Sequence, residues 1–163
     1  QPTRKKIAEA EIQRLEHHSD VCVQLSLERL ARQARDRGKD WSMGSEWVED
    51  LIDGLVRTLL SMGLINLDLM DLRAIVQHKG GSTMLVGTGQ HEQLDDLYNA
   101  TIKAPLAPMN VAGAKGCLLQ IEGGLGMTIG QVDEIATALT SAVDSDAQVI
   151  LGARVSPLSL IHI

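Results

Sequence analysis

An apolar stripe over residues 46–62 is the clearest periodic pattern in the chain. Two rows of apolar residues recur there at every fourth position: Trp47, Leu51, Leu55 and Leu59, and beside them Val48, Ile52, Val56 and Leu60. This spacing predicts an amphipathic helix, and Ser45 is placed to cap its start. Because the stripe is two rows wide, we expect this helix to be buried against two neighbouring elements.

The rest of the chain alternates helical patterns with short apolar runs. Helices are predicted at 4–18, 28–38, 91–104 and 129–143, and strands at 20–27, 82–89, 116–124 and 147–155. Thr128 and Gln131 have the spacing of a capping box, with Ile129, Val132 and Ile135 on the inward face of the helix that follows. Helices that alternate with short strands predict a layered α/β fold.

Composition narrows the classes of function. The 163 residues carry a formal charge of −6, which argues against a nucleic-acid-binding protein because phosphate contacts need clustered Lys and Arg. The five histidines and the two cysteines, Cys22 and Cys117, lack the spacing of metal ligands, so no metal site is predicted. No apolar run reaches the roughly 18–20 residues that a membrane-spanning helix needs. We therefore expect free thiols, no direct membrane insertion and a cytoplasmic location.

The stretch GLINLDLMDLRAIV, residues 63–76, holds the candidate chemistry of the chain. Asn66, Asp68 and Asp71 stand just before a helical pattern. One interpretation is structural: Asp68 caps the helix, Asp71 bonds back to it, and both favour the positive end of the helix dipole. The other is functional: the three side chains project from an exposed loop and orient a water and a cation. Spacing alone does not decide between them.

The same stretch resembles the T7 loop of the FtsZ family, in the tubulin/FtsZ GTPase superfamily, whose pattern is G-L-x-N-x-D-x-x-D. The similarity continues on both sides of the loop. The stripe helix resembles the family's central helix, and segments with the family's strand and helix order follow, among them GGSTMLVGTG, GCLLQIEGG and DAQVILGARV. The resemblance covers roughly residues 4–155, and the order of its parts makes it specific.

The resemblance implies a domain organisation. Residues 1–43 would be a remnant of an N-terminal GTP-binding domain, 44–62 the central helix, and 63–163 a two-layer α/β C-terminal domain with a four-stranded mixed sheet. The glycine-rich phosphate loop of the family has no counterpart in the sequence, and the last residues, SPLSLIHI, fit the family poorly. We therefore expect a fragment, truncated at its end, that binds no nucleotide tightly.

The resemblance also implies a function. In the intact parent, an FtsZ-like cell-division GTPase using GTP with Mg²⁺, subunits polymerise head to tail and the T7 loop completes the GTP-hydrolysis site of the adjacent subunit. Asp68 and Asp71 would polarise the attacking water, with Asn66 as their orienting partner. Trp41 and Glu46 fall where the family contacts guanine, whereas Ser26-Leu27-Glu28 replaces the family's Pro-Asn-Asp turn and loses a polar nucleotide contact.

Two further expectations, about the activity of the fragment and about its adaptor partners, follow from the resemblance. The fragment alone would be inactive, and the tail through which the family recruits division adaptors would be missing. The alternative is a standalone, non-catalytic α/β interaction module of the same fold, one that caps or regulates filaments.

Overall fold

The computed structural model describes residues 2–36, 49, 52–54, 56–57, 59–60, 62–77, 80–83, 85–103, 107, 109–156 and 161–162. The helices are α1 (Pro2–His18), α2 (Leu27–Asp36), α3 (Leu69–Val76), α4 (Leu94–Ile102, preceded by a 3-10 turn at His91–Gln93) and α5 (Ile129–Thr140). The strands are β1 (Val23–Gln24), β2 (Ser82–Thr83), β3 (Thr88–Gly89), β4 (Gly116–Gly123), β5 (Gln148–Val155) and β6 (Ile161–His162). The described residues between 49 and 60 are helical.

A mixed sheet of four strands, in the order β3-β6-β4-β5, organises the C-terminal part of the chain. β4 and β5 run parallel over eight residues each, from Gly116 opposite Gln148 to Gly123 opposite Val155. β6 is antiparallel to both of its neighbours. A separate parallel pair, β1 with β2, links the N-terminal segment to the residues after α3. The predicted α/β fold with a four-stranded mixed sheet is confirmed.

The hydrophobic core lies where α4 and α5 pack against this sheet. Its fully buried members are Leu97 on α4, Val132 and Ile135 on α5, and Ile121 on β4. α5 begins where Thr128 accepts a hydrogen bond from the amide of Gln131, whose side chain in turn accepts from the amide of Thr128. The capping box predicted at this helix start is therefore confirmed. Of the residues that helical spacing placed on the inward face of α5, Val132 and Ile135 are fully buried.

Two strand predictions were too long. Residues 20–27 contain a strand only at β1, because Ser26 starts helix α2: its carbonyl accepts from Leu30 N at 2.9 Å and its hydroxyl from Arg29 N at 3.4 Å. Residues 82–89 are not one strand. Their two ends, β2 and β3, belong to different sheets, and Gly87 between them packs so closely on Thr101 that no side chain fits.

Two predictions of burial were wrong where the structure describes the residues. In the stripe helix, Ile52, Val56 and Leu60 are 57%, 44% and 81% exposed, so this row is not packed against a second neighbour within the described structure. Ile129 is 61% exposed, because the buried face of α5 begins one turn later, at Val132. The cap predicted at Ser45 lies outside the described residues. No helix in the described ranges has the length and apolarity to cross a membrane.

Candidate functional site

The candidate loop is held against the outer edge of the four-stranded sheet. Ile65 forms an antiparallel bridge with Ala153 on β5, through Ile65 N to Ala153 O at 3.1 Å and Ala153 N to Ile65 O at 3.0 Å. Gly63 packs directly on the Ala153 carbonyl oxygen, where any Cβ would collide. Leu67, only 5% exposed, adds a buried apolar anchor. The loop is therefore attached to a strand on one side and leads into α3 on the other.

The two aspartates form a complete capping box at the start of α3. Asp68 Oδ1 accepts hydrogen bonds from Met70 N at 2.7 Å and from Asp71 N at 2.8 Å. In return, Asp71 Oδ2 accepts from Asp68 N at 3.1 Å. These hydrogen bonds satisfy amides that have no partner inside the helix, and the two negative charges lie at the positive end of its dipole. The structural interpretation of the acids is therefore confirmed.

The cap uses only one oxygen of each carboxylate. Within the described residues, neither Asp68 Oδ2 nor Asp71 Oδ1 accepts a hydrogen bond. Asp68 is exposed and Asp71 is half-buried. Asn66 is also exposed, and its Oδ1 accepts from Gly63 N at 2.7 Å, which leaves its amide group as a donor. The loop thus presents two carboxylate oxygens and an amide to solvent while its own backbone is held in place.

Apolar side chains flank these polar groups. Met62 is 92% exposed, Leu69 72% and Met70 68%. A single exposed apolar residue needs no explanation, but three large ones around a fixed acidic loop form a surface that a partner can cover. Neither these flanks nor the anchor on β5 was identified from the sequence. Gly63 is a signal in the sequence for the anchor, because glycine lets another part of the chain approach its backbone closely.

The other residues considered from the sequence form no second functional site within the described residues. Trp41 and Glu46 lie outside the described residues. Leu27, which replaces a polar residue of the family turn, is 72% exposed at the first position of α2. Cys22 and Cys117 are free, and burial raises the pKa of the Cys117 thiol, which disfavours a nucleophilic thiolate. Across the described ranges, no three His, Cys, Asp or Glu side chains form a group that could hold a metal ion.

Comparison with known proteins finds similarity to the FtsZ family. Residues 80–159 match the model of the FtsZ family, C-terminal domain. The cell division protein FtsZ of Caulobacter vibrioides is 30% identical over 159 residues, which cover 94% of this chain and 31% of the relative. The cell division protein FtsZ 1 of Archaeoglobus fulgidus is 29% identical, over 94% of this chain and 43% of the relative. The chain thus spans less than half the length of these curated relatives.

Solved structures agree with this assignment at the level of the fold. The chain is similar to an empty FtsZ dimer of M. jannaschii with a TM-score of 0.77 and 23% identity, over 92% of this chain and 45% of that one. It is also similar, with a TM-score of 0.60 and 18% identity, to CetZ from Methanosaeta thermophila, over 88% of this chain and 41% of that one. These two likenesses show the fold. The matched domain and the relatives show that the chain belongs to the FtsZ family and corresponds to its C-terminal part.

Proposed function

We propose that this chain supplies the loop half of a GTP-hydrolysis site that forms between two subunits stacked head to tail. The observation that carries the proposal is the geometry of the loop. Asn66, Asp68 and Asp71 are fixed by the sheet and the cap, yet one oxygen of each acid is left without a hydrogen bond within the described residues. The exposed side chains of Met62, Leu69 and Met70 provide the apolar surface that such an interface would bury.

The chemistry of phosphoryl transfer suits this division of the site. It requires positioning of a water and neutralisation of charge more than covalent participation by the protein. In the proposed site, Asp71 and Asp68 polarise the attacking water, and the Asn66 amide orients it. The phosphates, the base and Mg²⁺ arrive with the other subunit, as a Mg²⁺–GTP substrate. The oxygen atoms of the loop are ligands that fit Mg²⁺, and without that cation the two acids would repel the γ-phosphate.

Dependence on a second subunit makes hydrolysis conditional on assembly. The family contacts to guanine would be made by Trp41 and Glu46 in an intact parent. The chain by itself is therefore expected to turn over no GTP, and its activity becomes visible only with a partner that holds the nucleotide. Self-association through the same loop is the expected mode of contact, and division adaptors would bind elsewhere in the intact protein.

Complementation of a defective partner tests the proposal. The partner is an intact FtsZ in which the loop acid that aligns with Asp71 is replaced by Ala, so that its own GTP turnover is low. Adding this chain should raise phosphate release, and Asp71→Asn should reduce that gain by about 100-fold, within the range typical of positioned acid–base groups. Asn keeps an oxygen that can accept from Asp68 N, so the substitution removes charge without removing the cap. The control is Asp95→Asn, an exposed acid on α4.

The outcomes separate the two functions considered for the chain. Equal effects of the unmodified chain and Asp71→Asn on turnover would identify a non-catalytic module that caps or regulates filaments. No effect of the chain at any ratio to the partner would exclude donation of the loop altogether.

A further inference from the structure

The methionines of the chain differ in how far solvent reaches them. Four of the six lie within the described residues: Met62, Met70, Met109 and Met127. Met62 is 92% exposed and Met70 is 68% exposed, whereas the other two are half-buried. The sulfur of Met127 packs against Gly123, beside the hydrophobic core. Among these four, the two accessible methionines are therefore the two that flank the loop acids.

Hydrogen bonds hold the backbone of both exposed methionines beside the polar groups of the loop. Met70 N donates to Asp68 Oδ1 at 2.7 Å. Directly after Met62, Gly63 N donates to Asn66 Oδ1 at 2.7 Å. A chemical change at either thioether would therefore take place next to the groups that are proposed to meet the nucleotide.

A hydroperoxide oxidises an accessible thioether without help from the protein. The sulfur lone pair attacks one peroxide oxygen, an S–O bond forms and the O–O bond breaks. The proton of the transferred oxygen goes to the leaving oxygen, which becomes water or an alcohol. Sulfur loses two electrons and the peroxide gains them, so the products are methionine sulfoxide and a reduced peroxide.

This oxidation changes the character of the surface around the loop. A thioether is apolar, whereas a sulfoxide is polar and carries an oxygen that accepts hydrogen bonds. Burial of that oxygen in an apolar interface costs free energy unless a donor is present. Its partial negative charge would also face the phosphates of the neighbouring subunit. The oxidised loop is therefore poorly suited to the interface that the unmodified loop would form.

From this arrangement we propose that Met62 and Met70 are sites of reversible oxidation through which a hydroperoxide blocks docking of the loop on a neighbouring subunit. The inference rests on the proposed function, because it concerns the same interface. Since docking would bury both sulfur atoms, the unassembled chain is the form that is oxidised. Methionine sulfoxide reductases reverse the reaction, which makes the block temporary.

Peptide mass spectrometry after treatment of the whole chain with hydrogen peroxide measures sulfoxide formation at each methionine. Catalase then removes the peroxide, and dithiothreitol reverses disulfide or sulfenic acid formation at Cys22 and Cys117 without reducing the sulfoxides. We expect Met62 and Met70 to be converted about tenfold faster than Met127, because the sulfur of Met127 is covered. Equal rates at the three positions would overturn the proposal.

GTP turnover with the loop-defective FtsZ partner described above measures the effect on docking. Oxidation should raise the concentration of the chain needed for half-maximal stimulation by about tenfold, which is in the range for burial of an unpaired polar group. Methionine sulfoxide reductases should restore the value of the untreated chain. Hydrogen exchange at Ile121 and Ile135 monitors the core, and loss of protection there on oxidation would overturn the proposal, because unfolding would then explain the loss.

Matched double variants assign the effect to the loop, since Leu has nearly the volume of Met and no sulfur. Met62→Leu/Met70→Leu, compared with its own untreated sample, should change by less than about twofold on oxidation. Met109→Leu/Met127→Leu should lose about tenfold, as the unmodified chain does. Equal losses in the two variants would overturn the proposal.

The same turnover assay separates failure of this inference from failure of the proposed function. Stimulation that survives complete oxidation of Met62 and Met70 would refute the inference alone. An untreated chain that gives no stimulation would refute the proposed function, and the inference with it.

Discussion

Removing the side chain of Asp68 should loosen α3 without unfolding the rest of the molecule. The helix has eight residues and no fully buried side chain, so little tertiary packing supports it. Helices this short are unstable without such support, and the hydrogen bonds at their ends therefore carry unusual weight. Asp68→Ala removes the acceptor of both Met70 N and Asp71 N. Asp68→Asn keeps an oxygen at the same place and is the matched control.

The size of the effect follows from the two hydrogen bonds and the charge that the Asp68 carboxylate supplies. An N-cap replaced by Ala costs about 0.5–2 kcal/mol, and a negative charge at a helix N-terminus contributes about 0.3–1 kcal/mol. Asp68→Ala removes both, so we expect the free energy of opening α3 to fall by about 1–3 kcal/mol. Asp68→Asn removes only the charge, which places it at about 0.3–1 kcal/mol. A fall of about 1.4 kcal/mol corresponds to about tenfold faster amide exchange where exchange occurs by local opening.

Hydrogen exchange measured amide by amide distinguishes local from global loss. In Asp68→Ala, the amides of Met70, Asp71 and Leu72 should exchange about tenfold faster or more, while those of Ile121 on β4 and Ile135 on α5 keep their protection. In Asp68→Asn the first three should change only a few-fold. Equal acceleration in both variants would refute the capping argument, because it would show that charge and not the hydrogen bonds holds the helix start. Unchanged exchange in Asp68→Ala would refute it as well.

Two further substitutions test the loop anchor and the turn before β5. Gly63→Ala should lower the free energy of unfolding by about 1–3 kcal/mol, because its Cβ meets a backbone carbonyl that cannot move aside. The control in the same thermal melt is Gly126→Ala, whose Cβ meets nothing within 4 Å. Equal melting temperatures of the two variants would contradict the close packing at Gly63. Two groups hold the pKa of the Asp144 carboxyl below its ordinary value of 3.8: first the Lys115 ammonium, at 2.8 Å, and then the Asp146 amide. The contribution of Asp144 to stability is therefore complete above pH 3.8 and is lost as the pH falls through the lower pKa of the folded state. Asp144→Asn should therefore flatten the decline of the melting temperature below about pH 4, and an unchanged slope would contradict this assignment.

Local signals in the sequence predicted local structure well. Spacing alone identified the capping box of Thr128 with Gln131, and it gave capping as one of two interpretations of Asp68 with Asp71, since a capping box is decided within four residues of chain. The strand at 82–89 failed for the opposite reason. Its apolar composition fits a strand, but its two ends find partners far away in the sequence, in β1 and β6, and Gly87 has to pack against Thr101 between them. Strand propensity does not encode a pairing partner.

The stripe helix shows a second limit of sequence patterns. Periodicity identifies which side of a helix is apolar, and it does so independently of whether a covering surface is present. Ile52, Val56 and Leu60 keep the spacing of a buried row although each is more than two-fifths exposed. Spacing therefore predicts that this row of side chains can pack against another surface. Only the coordinates tell whether such a surface lies within the described structure.

The two interpretations of the loop acids, which spacing could not separate, are compatible for a physical reason. A flexible acid loses side-chain entropy when it is fixed against a partner, and this loss weakens binding. In this loop the cap has already fixed one oxygen of Asp68 and one of Asp71, and the bridge between Ile65 and Ala153 has fixed the backbone that carries them. The side-chain entropy of these two acids is therefore already lost when the chain folds, and it is not lost again when a partner binds. Under the proposed function, the cap would therefore hold the remaining carboxylate oxygens in position for a neighbouring nucleotide. A substitution that preserves the charge but destroys the cap should then impair donation of the loop nearly as much as a substitution that removes the charge.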